Sequence, residues 1–282
     1  MKKENLNKIL GRNEITYLVE VDKHINLDKK ILITGANGSI GSRLIERFKN
    51  MNVDFLSTDI EGDHVYLDVT LPENVKDVLN LYSPDIIINI AGAKHAPEGE
   101  HETWKTLSIN TIGTKNLIDY SNPKTKIILT STCKSCNPET VYGASKLIAE
   151  RMVLNHGGSI ARFFNVVETQ GNVFEIWDNI EDNGTIKVAA VCKRHFISLD
   201  EATGLLICIS SLNESGCRYI VNSPILREMT DIADALYEKR DKIIIQPRRG
   251  DRVEEKFLSS NETIEKYIFS ESIIKIKNTH DK

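Results

Sequence analysis

Two residues one helical turn apart, Tyr142 and Lys146, carry the chemistry that this chain suggests first. They are spaced as Y-x-x-x-K in ETVYGASKLIAERMVLNH (139–156), whose pattern predicts a helix after its first residues. Side chains at that spacing share a helix face. An ammonium beside a phenol favours the phenolate and pulls its pKa from about 10 toward neutrality. Such a tyrosine can take a proton from an alcohol while hydride leaves the same carbon. Thr132, at the end of a predicted strand upstream, adds a hydroxyl for the reacting oxygen.

Hydride chemistry needs a carrier, and the chain has a place for one. Gly35, Gly38 and Gly41 follow the β-branched run ILIT and open the segment SRLIERFKN. Strand, glycine turn and helix together let a pyrophosphate approach backbone N–H groups at a helix start, with Asn37, Ser39 and Ile40 completing the turn. The glycines alone would fit a plain strand–helix turn; the flanking elements favour cofactor binding. Asp59 ends VDFLSTD (53–59), where a carboxylate suits both ribose hydroxyls and repels a 2′-phosphate. That favours NAD. Arg43, just after Gly41, could soften the repulsion and admit NADP, so both cofactors stay open. Asp68, in LDVT, is expected near the adenine, or else is a solvated loop carboxylate. Ala91 and Gly92 end the apolar run DIIINIAG (85–92) and are expected to line the same site.

These residues require a scaffold that brings distant segments together. Predicted strands at 31–34, 53–59, 85–92, 126–132 and 159–167 alternate with predicted helices at 42–50, 72–82, 102–121 and 139–156. Such alternation implies a doubly wound parallel α/β sheet of Rossmann type with right-handed crossovers. Beyond about residue 168 the signal weakens. Helices near 173–181, 199–212 and 228–239 and strands near 185–189, 217–222 and 242–246 predict a smaller substrate-binding lobe. The expected organisation is an N-terminal arm (1–29), a dinucleotide-binding domain (30–168), and a remainder (169–282) that is mainly the small lobe, interleaved with the sheet. Trp104 and Trp177 read as packing residues.

Composition excludes several classes. The 282 residues are 40 % hydrophobic and 27 % charged with a net charge of −4, ordinary globular usage without a basic excess to meet nucleic acid. No apolar run approaches the roughly 18–20 residues of a membrane span, and no apolar core follows the first lysines as in a secretory signal. Five cysteines, an odd number, suggest free thiols and a cytoplasmic setting. Cys133 and Cys136 form a C-x-x-C, a redox or zinc spacing, but no second ligand pair stands at zinc-site distance, and no metal is expected.

TGANGSIG (34–41), Asn110, Thr132, Tyr142 and Lys146 together resemble the extended short-chain dehydrogenase/reductase superfamily, which acts on nucleotide sugars. Four stretches resemble its polysaccharide-biosynthesis branch, the UDP-N-acetylglucosamine 4,6-dehydratases. They are INIAGAKHAPEGE (88–100), NTIGTKN (110–116), STCKSCNPETVYGASKLIAE (131–150) and RRGDRVEEKFL (248–258). ILGRNEI (9–15) resembles the segment that precedes the glycine turn in longer relatives.

The resemblance implies a tightly bound, recycled NADP or NAD, a UDP-sugar substrate and a 4-keto-6-deoxy product for glycan biosynthesis. It also implies a homodimer or higher oligomer formed through the helices around 102–121 and 139–156. Tyr142, helped by Lys146 and Thr132, would deprotonate the C4 hydroxyl. Lys134 would be the base at C5, with burial near a cationic neighbour lowering its pKa. Water would leave from C6, where hydride returns. Cys133 stands where the branch usually has an aspartate that protonates the leaving hydroxyl. A thiol acid in its place is the expectation; impaired dehydration, or another donor, is the alternative. Tyrosine at 142 is the residue of soluble relatives that invert C5; some membrane-bound retaining relatives carry methionine. Lys94 and His95 would border the sugar or nicotinamide, and Asn165, Arg194 and Arg248 the substrate diphosphate, while Arg249 replaces a family proline. A UDP-sugar C4 epimerase, a nucleotide-sugar reductase and a cofactor-binding regulator without turnover are the rival readings.

Overall fold

A computed structural model describes residues 1–94, 96–181, 184–223, 225–247 and 252–279 of the chain. Its centre is a nine-stranded sheet. The strands in chain order are β1 (Ile31–Thr34), β2 (Phe55–Asp59), β3 (Val65–Tyr66), β4 (Ile86–Asn89), β5 (Lys126–Thr132), β6 (Ser159–Phe163), β7 (Asn165–Val166), β8 (Ile186–Val188), β9 (Lys193–Ile197), β10 (Arg218–Val221), β11 (Leu226–Glu228), β12 (Lys242–Ile244), β13 (Glu262–Ile268) and β14 (Ile273–Asn278). The sheet order is β13-β14-β10-β6-β5-β4-β1-β2-β3. From β3 to β10 every pairing is parallel; β14 and β13 then close the edge as an antiparallel pair. The order reverses between β1 and β4, and a doubly wound sheet opens its ligand crevice at that switch, beyond the carboxyl ends of the strands. This is the Rossmann-type architecture that the alternation predicts.

The unbroken apolar runs are explained by burial on both faces. Ile31 and Ile33 of β1 join one core cluster, with Leu44 and Phe48 of the helix Ser39–Asn50 and with Leu205 and Leu206 of the helix Leu199–Ser211. Leu32, between them, joins a cluster on the opposite face with Val75, Leu79, Leu117 and Val153. The period of two along a strand thus sorts adjacent residues to opposite layers. A third cluster gathers Trp177, Phe174, Phe196, Ile186, Val188 and Ile232 with Leu6, Ile9 and Leu10 of the first helix, Lys3–Leu10. The N-terminal arm therefore packs on both parts of the molecule. Arg12 ties it down through Glu201 at 2.6 Å, and that carboxylate also completes the capping box of the helix Leu199–Ser211.

Several expectations change. The strand expected over 159–167 breaks at Phe164; β6 stays in the large sheet, while β7 pairs with β9 in a separate three-stranded sheet. The helix expected over 102–121 carries a π turn, Ser108–Ile112, between the helices Thr103–Leu107 and Gly113–Tyr120. Such turns recur at functional sites, and this one holds the buried Asn110. Trp177 packs as expected, but Trp104 is 73 % exposed, because its side of the helix faces away from the sheet. Among the described residues no helix is long and apolar enough to cross a membrane.

Candidate active site

The carboxyl ends of the central strands open on a crevice of about 1110 Å³. One end is built by the glycine turn. Gly35 has φ +68°, and a Cβ there would meet the Ala91 backbone nitrogen at 2.6 Å. A Cβ on Gly41 would run into the Gly35 carbonyl and Ala36, so Gly41 packs the turn and is not part of the crevice wall. Gly38, Ser39 and Ile40 do line the wall, and no side chain caps the helix that starts there. Its first N–H groups therefore suit an anion. Asp59 lines the wall as expected. Its Oδ2 accepts from Asn37 N (2.9 Å) and its Oδ1 from Ile60 N (2.7 Å) and Glu61 N (3.2 Å). Asn37 thus orients Asp59 without itself lining the crevice. Asp68 lines it too, held by Thr70, whose N and Oγ1 both donate to Oδ1. Arg43 corrects an expectation. Its Nε bonds Asp200 at 2.7 Å and its Nη1 bonds Glu46 at 2.6 Å, and those carboxylates hold it away from the crevice.

At the other end Thr132, Lys134, Tyr142, Lys146 and Asn165 share the wall with Ala91, Gly92 and Lys94. The helix Val141–Asn155 brings in Tyr142 and Lys146; its N-cap Thr140 accepts from Gly143 N at 3.0 Å. Asn110 ties that helix to the loop after β4, accepting from Ala93 N (2.9 Å) and donating to Ala93 O (3.1 Å) and Ser145 Oγ (3.0 Å).

Lys146 is only 5 % exposed. It donates to Thr130 O at 3.1 Å, and burial pushes its pKa down to about 8 against the pull of Glu150. Burial raises the Tyr142 phenol above its ordinary value, and the cation that opposes this is Lys134, with a smaller contribution from Thr132. The tuning expected from Lys146 therefore comes from Lys134. The reason is geometric: the Lys146 ammonium turns to a carbonyl within β5, while Lys134, on the short turn Cys133–Ser135 that follows β5, shares the crevice wall with the phenol and acts on it through its charge.

Lys134 brings a second correction. Its Nζ donates to Glu255 Oε1 (2.7 Å) and Asn165 Oδ1 (3.1 Å), and Asn165 Nδ2 donates to Glu255 Oε2 (2.6 Å). The expected neighbour was cationic; the actual one is this buried carboxylate. Burial works against the ammonium, but Glu255 outweighs it, and the Lys134 pKa ends above the ordinary lysine value. Glu255 is in turn held below the usual carboxylate range against its own burial, by Lys134 and then Arg194. Arg194 therefore faces Glu255, with Nε 3.5 Å from Oε1 and Nη1 on the carbonyl of Lys193, instead of the crevice.

Sequence reasoning singled out the stretch RRGDRVEEKFL without choosing Glu255. The bridge between Lys193 and Glu254 sets the register that exposes Glu254 and turns Glu255 inward, and that register is a tertiary fact. Lys94 lines the crevice and donates to Gln170 O at 2.8 Å. His95 and Arg248 lie outside the described residues.

Cys133 sits beside this group but does not line the crevice. It is 1 % exposed, belongs to the apolar cluster under the sheet, and burial pushes its thiol up to about 12. A thiol so placed is a poor proton donor to a sugar. Cys133→Ala should therefore keep turnover within about threefold, as a residue off the reaction path would, at a cost of about 1–2 kcal/mol in stability for the small cavity. A rate loss above about a hundredfold in a still-folded variant would restore the thiol to the chemistry.

The turn that carries Thr132 and Lys134 is clamped from below. Ser131 and Ser135 both donate to Glu150 Oε1, at 2.6 and 2.7 Å. Glu150 and Glu262 each pair with Arg162 at 2.7 Å, and all three are buried, with Arg218 beside them. Arg162 overcomes the burial of Glu150 and holds its carboxyl at about 2. Breaking such a network leaves a buried charge and costs about 3–5 kcal/mol, which keeps the turn in place.

A nicotinamide dinucleotide fits these residues. The glycine turn would hold its pyrophosphate, Asp59 its adenosine ribose, and Lys146 and Tyr142 its reactive end. Comparisons with known proteins agree with the fold. The chain is 28 % identical over 301 residues to the capsular polysaccharide biosynthesis protein CapD of Staphylococcus aureus, covering 93 % of this chain and 50 % of that protein. It thus spans about half the length of that relative. It is 27 % identical over 270 residues to the UDP-N-acetylglucosamine 4,6-dehydratase (inverting) of Campylobacter jejuni, covering 86 % of this chain and 80 % of that one. The solved UDP-glucose 4-epimerase of Thermus thermophilus, a complex with NAD, superposes with a TM-score of 0.71 at 16 % identity, covering 82 % and 90 % of the two chains. The model of the polysaccharide biosynthesis protein family matches residues 56–277, a span that holds Asp59, the tyrosine–lysine pair, Lys134 and Glu255, and the chain therefore belongs to that family.

Proposed function

We propose that the chain is a nucleotide-sugar 4,6-dehydratase that uses NAD or NADP, acting on UDP-N-acetylglucosamine with inversion at C5. The observation that carries this reading is the position of Lys134. An epimerase at C4 needs Tyr142 and Lys146 alone. Here a second proton-handling group stands on the same crevice wall, beside the phenol. The relative from Campylobacter jejuni, named as inverting, and the tyrosine at 142 support the finer assignment.

A nicotinamide dinucleotide in the crevice supplies the hydride acceptor for C4 and the hydride returned at C6. Tyr142 takes the C4 hydroxyl proton while Thr132 holds that oxygen. The ketone formed at C4 makes the C5 hydrogen acidic. Lys134, as the free amine, takes the C5 proton; as the ammonium, it gives a proton to the C6 oxygen, which leaves as water. One amine can thus serve both halves of the elimination, and no separate acid at 133 is required. Glu255 stabilises the ammonium, so the amine is scarce at neutral pH. Incubation with UDP-N-acetylglucosamine in deuterated water, followed by NMR and mass spectrometry of the product, tests the reading. Loss of water, offset by one deuterium at C5 to a net decrease of about 17 mass units, and an inverted C5 centre are expected. A product of unchanged mass would replace the dehydratase with an epimerase.

The protein is further proposed to act as a homodimer. Trp104, Ile112 and Ile148 are exposed apolar residues on the two helices that the family resemblance assigns to a dimer. Ile148→Arg places a charge in that face and should convert the assembly to a monomer in size-exclusion chromatography with light scattering. A wild-type chain that already elutes as a monomer would refute the assignment.

A further inference from the structure

We infer that Glu100 is a positioning residue for oxidation at C4: its carboxylate sets the start of the helix Val141–Asn155 and so the place of the Tyr142 phenol. The inference rests on the tyrosine chemistry proposed above and adds to it a residue outside the crevice wall. Glu100 lies on the short helix Ala96–His101 after β4. Glu98, two residues earlier, lines the crevice, and Glu100 does not. Its Oε1 instead accepts from Val141 N at 2.8 Å, 41 residues further along the chain. Val141 opens the catalytic helix and Tyr142 follows it.

The first N–H groups of a helix have no partner within it. Thr140, the N-cap, meets the one on Gly143 at 3.0 Å, and Glu100 meets the one on Val141. A carboxylate at this end also complements the helix dipole. Tyr142 is thereby held from both sides along the chain. After it, Ser145 Oγ donates to Tyr142 O at 2.8 Å and accepts from Asn110 Nδ2 at 3.0 Å. Before it, the tie is Glu100. The support under Glu100 is close-packed. Gly99 is buried, and a Cβ there would lie 3.4 Å from Thr106 Oγ1 and 3.6 Å from Tyr142 N, so the short helix rests directly on the start of the catalytic one. Thr103 Oγ1 donates to Gly99 O at 3.3 Å. Without the bond to Val141 the first turn is free to shift, and a misplacement of about 1 Å at a reacting group costs about a hundredfold in rate.

The test compares Glu100→Ala with Glu100→Gln in the full chain, loaded with its nicotinamide dinucleotide and given UDP-N-acetylglucosamine. Glu100→Ala should slow the single-turnover reduction of the nicotinamide by about 10- to 100-fold and leave KM within about threefold. Glu100→Gln, whose amide oxygen accepts the same N–H, should stay within about threefold of wild type. Hydrogen exchange read by mass spectrometry needs no substrate. Residues 141–143 should exchange at least about tenfold faster in the alanine variant and near the wild-type rate in the glutamine variant. Thermal melting checks that both are folded. Unchanged exchange, or a wild-type rate of reduction in the alanine variant, would overturn the role. So would a glutamine variant as slow as the alanine one, because the effect would then follow the charge and not the bond. A wild-type product of unchanged mass would overturn the dehydratase reading and keep the role of Glu100, since an epimerase begins with the same oxidation.

Discussion

Tyr142→Phe should lower turnover by about a thousandfold while the chain stays folded and still binds its nucleotide sugar. The lost group is one hydroxyl at the crevice wall, and a positioned acid–base group contributes about 10²–10⁴ in rate. Its removal strands no partner: Thr132 keeps its bond from Lys134 N, and the Lys134 ammonium keeps Glu255 and Asn165. On the proposed mechanism the loss should fall on kcat rather than KM, because the phenol would act on the proton that leaves as C4 is oxidised. Single-turnover absorbance of the reduced nicotinamide would show the first step stalled. A variant that reduces the cofactor at the wild-type rate would remove Tyr142 from the mechanism.

Changes at Lys134 should have a different signature. Lys134→Gln is expected to lower water loss by at least about a thousandfold while oxidation at C4 continues, so that reduced cofactor accumulates without a change in substrate mass. Glutamine is the substitution of choice because its amide can still donate a hydrogen bond to Glu255, which is 3 % exposed and keeps Arg194 as its remaining cation. Glu255→Gln gives the complementary test. In the wild-type chain the carboxylate holds the Lys134 pKa above its ordinary value, so dehydration should rise with pH through the alkaline range. The sign follows directly: with the carboxylate gone, the folded pKa of Lys134 falls, more amine is present at a given pH, and the rising limb moves to lower pH by at least about one unit. A merely structural role for Glu255 would lower the rate at every pH and leave the limb in place. Rates independent of pH across that range, in both proteins, would argue that Lys134 is not the base.

The first half of the crevice was legible because it is local. The pattern ILIT, TGANGSIG and the following helix lie in consecutive residues, and β1 and the helix Ser39–Asn50 form where the period of the apolar positions changes. The helices Pro72–Tyr82 and Val141–Asn155 were equally readable, the first because Pro72 starts it and Val75, Val78 and Leu79 bury one face. The later strands were not. β11 is three residues long and β13 is an edge strand with mostly exposed or half-buried positions, while β9 and β14 are inner strands whose apolar pattern is interrupted by buried charged residues, Arg194 and Lys275. The break at Phe164 left no sign either, since a run buried on both sides reads the same whether it continues one sheet or passes to another.

The sequence by itself determined the glycine turn, the identity of the tyrosine, lysine and threonine at the site, and the parallel sheet that collects them, because each is written in neighbouring residues and in the period of the apolar ones. The tertiary structure alone decided the electrostatics. Which lysine acts on the phenol, which carboxylate meets Lys134, why Cys133 faces the core and why Arg43 is held by Asp200 all depend on groups between eight and more than a hundred residues apart. Charge interactions act through space and fall off with distance between atoms, so their partners are set by packing and not by order along the chain.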